Sequence, residues 1–197
     1  MQKIPTVFVR DDNDRRYVTD QVNPACQWVL DGEGVATRKY DGTCVMFDGR
    51  EWWARREVKP GKVAPENYVP LGTDEVTGKT MGWEPIEQSS YAKYHAEALN
   101  HFGPAGWNWT PGTYELVGPR VNGNPERVEQ HTMQLHAWAD VLDRGGAARS
   151  FDAIKGAVLA AARAGGLEGI VYHHPDGRMA KIKARDFRQT SPAAVAR

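Results

Sequence analysis

Thr37-Arg38-Lys39-Tyr40-Asp41-Gly42-Thr43-Cys44-Val45-Met46-Phe47, then Asp48-Gly49-Arg50, then Glu51-Trp52-Trp53-Ala54-Arg55-Arg56-Glu57-Val58, reads as two strands and the turn between them. β-Branched and aromatic side chains suit a half-buried pleated surface, and Asp-Gly tolerates the positive φ that tight hairpin turns need. The same pattern recurs along the chain. Residues 6–9 and 16–19 flank Asp11-Asp12-Asn13-Asp14, and residues 169–173 and 178–184 flank Pro175-Asp176-Gly177. Residues 112–117 and 132–141 read as two further strands.

Two stretches have helical spacing instead. In 89–102, Tyr91, Tyr94, Ala98, Leu99 and Phe102 fall on one face, with Ser89 or Ser90 as cap and Gly103 as stop. The Ala-rich stretch 151–164 ends at Gly165-Gly166. Residues 59–82, rich in Pro and Gly, read as a long loop. Many hairpins with two interspersed helices imply an α+β fold of antiparallel sheets with flanking helices, expected to form one domain across 1–197.

Bulk properties narrow the function. The 197 residues suffice for one well-packed domain or two very small ones. With 25 basic and 25 acidic side chains the formal charge is zero, which excludes a uniformly basic nucleic-acid binder but not a local basic cleft. No apolar run approaches the ~18 residues of a membrane span, and the start runs into the charged stretch 10–16. Cys26 and Cys44 lack zinc-like spacing and are too few for a disulfide framework. A cytoplasmic protein with free thiols is expected, acting as a monomer away from membranes.

Five segments carry chemistry. Lys39 stands in Lys-Tyr-Asp-Gly-Thr; a lysine becomes nucleophilic once neighbouring cations or burial favour its neutral amine. The plain alternative is a charged strand end before a glycine turn. Lys181 and Lys183 flank Ile182, so in a strand they share one face, where a phosphate would relieve their repulsion. Otherwise they protect an exposed edge. Glu115 in Tyr114-Glu115-Leu116-Val117-Gly118 and Glu168 in Glu168-Gly169-Ile170-Val171-Tyr172 are acids in apolar strands and need water, a hydrogen-bond partner or a metal. Arg55 and Arg56 follow the hairpin turn and could reach an anion.

In this order (K-x-D-G, Arg, E-L-V-G, E-G-I-V-Y, K-I-K) the segments resemble the nucleotidyltransferase motifs of ATP-dependent ligases and mRNA capping enzymes, from about residue 37 to 184. Lys39 to Cys44 together with Glu115-Leu116-Val117-Gly118-Pro119-Arg120-Val121-Asn122-Gly123-Asn124-Pro125 look closer still to small RNA ligases of animal and phage type. The resemblance implies a ligase adenylylation domain in which Lys39 takes AMP from ATP. Lys181 and Lys183 would contact the α-phosphate, Arg55 (Arg56 second) the nucleotide and its phosphates, and Glu115 the ribose hydroxyls. Glu168 would help hold Mg²⁺ or Mn²⁺. Trp138, with His136 second, would stack on adenine, both being expected on one face of strand 132–141.

The substrate implied is RNA with 5′-phosphate and 3′-hydroxyl ends. Two departures matter. Cys44 stands where many relatives have Arg or Asn, and only 14 residues follow Lys183, leaving no room for a C-terminal oligonucleotide-binding barrel. That second departure argues against the alternatives of a minimal DNA ligase core or a GTP-dependent capping enzyme. A non-catalytic nucleic-acid-binding relative would have no need of Lys39.

Overall fold

A computed structural model describes residues 4–101 and 108–188. Its strands and helices are β1 (Phe8–Arg10), β2 (Val18–Val22), α1 (Gln27–Leu30), β3 (Val35–Lys39), β4 (Thr43–Phe47), β5 (Trp52–Val58), β6 (Val69–Thr73), β7 (Thr80–Pro85), α2 (Ala92–His101), β8 (Gly112–Val117), β9 (Thr132–Leu135), β10 (Val141–Asp143), α3 (Phe151–Arg163), β11 (Gly169–His173) and β12 (Met179–Lys183). The fold is α+β, and every named strand pair is antiparallel. Phe102, Gly103, Trp107 and the first three residues lie outside the described residues. Among those described, no helix is long and apolar enough to cross a membrane.

The described residues form two compact units, one within 40–139, the other combining 4–39 with 140–188. The 40–139 unit is built on a six-stranded sheet in the order β6-β7-β5-β4-β8-β9. Alternate residues of its central strands, Val45, Ala54, Tyr114 and Leu116, are buried with Ile86, Ala98, Val121, Met133 and Leu135. Side chains alternate across a pleated strand, so Cys44, Arg55 and Glu115 stand on the opposite face.

The second unit carries the four-stranded sheet β10-β3-β11-β12 and the β1-β2 hairpin. Its core is apolar, and Phe8, Phe151 and Phe187 meet edge-on at centroid distances of 4.9 to 6.4 Å. Helix α3 starts where Ser150 Oγ accepts from the Ala153 amide at 3.1 Å, and its Ile154 and Val158 are buried. Burying each such side chain is worth about 1.5–3 kcal/mol.

Three expectations need correction. Residues 37–47 do not form one strand: β3 and β4 are separated at Tyr40–Gly42 and enter different sheets. Periodic side chains on both sides of the break disguised it. Residues 59–82 are not simply a loop, since β6 and the first half of β7 pair there and Tyr68 donates to the carbonyls of Arg56 and Thr80. Pro70 and Gly72 are tolerated because β6 is an edge strand. The strand expected at 132–141 ends at Leu135, and His136–Trp138 form a 3-10 turn.

His95 on α2 is buried, packs edge-on against Trp52 at 4.6 Å, and its Nε2 has no hydrogen-bond partner. Burial lowers its pKa from 6.5 to about 4. The unfolded chain therefore takes up this proton first as pH falls, and stability declines from about pH 6.5 down to about pH 4. The full effect is on the order of 3 kcal/mol. His95→Leu should flatten that part of the stability–pH curve in urea titrations; an unchanged slope would remove His95 as its source.

Candidate functional site

In the unit formed by 4–39 and 140–188, β3 pairs with β11 and β11 with β12. Lys39, Gly169 and Lys183 thus lie in one row across three strands, and Thr37, Val171 and Lys181 in the next row on that face. Ile182 points the other way into the core and is fully buried, as the Lys-Ile-Lys alternation requires. Lys181 is also tied through its backbone: its carbonyl accepts from the Val7 amide and its amide donates to Pro5, each at 2.9 Å. β12 is therefore flanked by the N-terminal segment at Lys181.

Glu168 joins the row. Its side chain is only 8% exposed, Lys39 Nζ lies 2.5 Å from Oε2, and Lys183 Nζ donates to Oε1. Burial pushes the Glu168 carboxyl up, but the charges and hydrogen bonds of Lys39 and Lys183 outweigh it and the net shift is downward. Arg185, 3.9 Å from Oε1 and mostly exposed, adds a third cation that the sequence reading missed. Gly169 has no room for a side chain, because a Cβ would stand 2.2 Å from the Ile182 carbonyl oxygen.

In the 40–139 unit, Glu115 is the centre. It is buried and sits directly opposite Cys44 in the β4–β8 register. Oε1 accepts from the Gly42 amide at 3.0 Å, and Oε2 lies 3.0 Å from His136 Nε2. His136 Nδ1 is in turn 2.9 Å from Thr113 Oγ1. Arg55 lies beside the Cys44 thiol, whereas Arg56 falls on the face of Ala54 and is 4.0 Å from Glu84. Burial pushes the Cys44 thiol up to about 12; Glu115 adds to the shift and Arg55 opposes it.

The Lys-Tyr-Asp-Gly turn is braced from the segment after β8. Asn122 Nδ2 donates to the Gly42 carbonyl at 2.7 Å and to Asp41 Oδ1 at 3.2 Å, while Glu126 accepts from the Asp41 amide at 2.8 Å. Asn122 has φ of 49°, which asparagine tolerates better than most residues. Asn122, Glu126 and Thr113 were not expected as site residues, although Asn122 lies within the segment 115–125 that carried the resemblance.

Of the two adenine-stacking candidates, His136 is the one brought to Glu115. Trp138 is 76% exposed, and the 3-10 turn removes it from the strand face it was expected to share with His136. Other aromatics of this unit pack instead. Trp83 is buried, Trp109 meets Trp52 and Tyr114 at 5.3 and 5.7 Å, and Tyr94 stacks on His131.

No family profile matches the chain. It is similar to RNA ligase 1 of Mus musculus and of Rattus norvegicus, each 27% identical over 75% of this chain. The chain is thus a distant relative of an RNA ligase. It spans 65% of the length of these curated relatives.

The braced turn yields a stability test. A Cβ on Gly42 would lie 2.2 Å from the Leu116 carbonyl oxygen and 3.0 Å from Glu115 Cγ, so backbone must shift. Gly42→Ala should cost about 1–3 kcal/mol, the usual range for overpacking. Gly72→Ala, whose Cβ would meet nothing within 4 Å, should be close to neutral. Equal thermal midpoints for the two variants would mean that the 42–116 approach is not a constraint.

Proposed function

We propose that this chain is an ATP-dependent RNA ligase of the lysyl-nucleotidyltransferase kind, joining 5′-phosphate to 3′-hydroxyl RNA ends. The observation that carries the reading is the Lys39–Glu168–Lys183 constellation, in which Lys39 is brought across 129 residues to the Glu168–Lys183 pair. The similarity to RNA ligase 1 supports it independently. We read 1–197 as one nucleotidyltransferase domain, the two units being its parts.

The chemistry runs in three steps. Lys39 Nζ loses a proton and attacks the α-phosphorus of ATP; an N–P bond forms, the α–β phosphoanhydride breaks, and pyrophosphate leaves. An oxygen of the RNA 5′-phosphate then attacks the same phosphorus, breaking the N–P bond and leaving the RNA capped by AMP. The RNA 3′-hydroxyl finally attacks the 5′-phosphorus and AMP departs. Such transfers depend mainly on in-line positioning and on neutralising phosphate oxygens.

Each residue has a part. The contact with Glu168 favours the ammonium form of Lys39, so the carboxylate would give it up before the attack. Lys181 and Lys183, on one face with Lys39, would hold the α-phosphate. Arg55, on the face of Glu115, would contact the nucleotide, and Arg56, on the other face, would not. Glu115 would accept from the ribose hydroxyls, with His136 orienting it. His136, beside Glu115, is the adenine-stacking candidate that stays at this face; Trp138, turned away by the 3-10 turn, would not serve there.

Glu168 is a hard-oxygen ligand with both oxygens held by ammonium groups. An ion taking the place of one of them would gain a single protein carboxylate, which suits the preference of Mg²⁺ for phosphate and water as its other ligands. When bound, Mg²⁺ or Mn²⁺ would neutralise phosphate charge.

Two outcomes test this. Lys183→Ala should slow self-adenylylation by roughly 100-fold, the scale of losing one phosphate-stabilising donor, while far-ultraviolet circular dichroism stays unchanged. An unaltered rate would assign Lys183 to structure alone. In matched gel assays with RNA, DNA and mixed strands, RNA ends should seal fastest and Lys39→Ala should seal nothing. Faster sealing of an all-DNA nick would overturn the RNA assignment and favour the minimal DNA ligase.

A further inference from the structure

Cys44 Sγ, a Glu115 carboxylate oxygen and a His136 ring nitrogen lie within 4.8 Å of one another in the 40–139 unit. Cys44 and Glu115 are cross-strand partners, and His136 follows β9 on the other side of β8. The linear sequence hides the group, because its members are 71 and 21 residues apart and no Cys-x-x-Cys or His-x-x-x-His spacing marks it. We propose that Cys44, Glu115 and His136 form a site for one zinc-class divalent cation, with the fourth position open.

The surroundings prepare each donor. Thr113 Oγ1 holds His136 Nδ1 at 2.9 Å, turning Nε2 toward Glu115; a hydroxyl can accept from Nδ1–H and so leave the Nε2 lone pair to a metal. The Gly42 amide occupies Glu115 Oε1, leaving Oε2 to ligate. The hydrogen bond between Nε2 and Oε2 is what the cation replaces; the bound ring keeps its proton on Nδ1, and any second ring proton passes to solvent. Binding also releases the thiol proton, since a coordinated thiol is deprotonated outright.

Ligand chemistry selects the ion. Sulfur and imidazole nitrogen favour zinc over magnesium, and three protein ligands with one open position is a familiar zinc arrangement. Zinc bonds of about 2.0–2.3 Å set tetrahedral ligands roughly 3.5 Å apart. Side-chain rotation must therefore draw the group in from its 4.8 Å limit. Arg55 beside the thiol adds positive charge and keeps the affinity below that of a structural zinc site.

A functional consequence rests on the reading of Glu115 as the ribose contact: cation and nucleotide would then compete for one carboxylate. This site is distinct from Glu168, whose oxygen-only chemistry suits magnesium.

Co²⁺ titration of the full chain, reduced and without nucleotide, tests the site. Expected are one equivalent of Co²⁺, a thiolate-to-cobalt charge-transfer band, and its stoichiometric loss on adding Zn²⁺. Cys44→Ser should abolish the band and Cys26→Ser should keep it. Thr113→Val should retain the thiolate band but weaken binding by about 10- to 100-fold, the usual scale for losing a ligand's support, and His136→Asn, which removes a ligand, should weaken it further. No thiolate band with the unaltered chain, or one that survives Cys44→Ser, would overturn the proposal. Because no nucleotide is present, failure of Lys39 to accept AMP would leave this result standing, and absence of the band would leave the ligase reading standing.

Discussion

The buried carboxylate of Glu168, held between the ammonium groups of Lys39 and Lys183, is the interaction on which the candidate site most depends. A carboxylate this buried requires partners, and removing one from a buried pair typically costs about 3–5 kcal/mol. The partners come from β3 and β12, which meet only through β11. Strand register and charge compensation are therefore one constraint. Gly169 belongs to it, because the close approach of β11 to β12 leaves no space for a side chain. In the proposed reaction, this contact would be exchanged for phosphate contacts before Lys39 attacks.

A comparable coupling governs the 40–139 unit. Val45, Ala54, Tyr114 and Leu116 face the core, and their neighbours Cys44, Arg55 and Glu115 face away from it. A one-residue slip would exchange the two sets, turning Arg55 and Glu115 into the apolar core and the core side chains out of it. Core packing on one face thus fixes the positions of the candidate site residues on the other. The Gly42 amide then ties the Lys-Tyr-Asp-Gly turn to Glu115, and Asn122 and Glu126 complete the brace.

Much of this was legible in the sequence where a period carried it. The β4–β5 hairpin, β8, α3 and the β11–β12 pair follow from alternation, helical spacing and turn residues, and Lys181-Ile182-Lys183 showed its two faces directly. The break at Tyr40–Gly42 was not legible, because period-2 side chains continue on both sides while the backbone changes sheets. Nor was the 3-10 turn at His136, whose neighbours read as a continuous strand. The bracing residues were hidden for a different reason. Asn122 and Glu126 act over 80 and 85 residues of separation from loops, where polar residues have no period to betray a contact. Thr113 looked like any strand threonine until His136 was placed beside it.

The central claim is that Lys39 carries AMP through a nitrogen–phosphorus bond. Its most direct test is to incubate the protein with ATP and magnesium, denature at neutral pH to preserve that acid-labile bond, digest, and locate the adduct by tandem mass spectrometry. The account requires a single AMP on Lys39. AMP on any other residue, or no adduct on a folded protein, would contradict it.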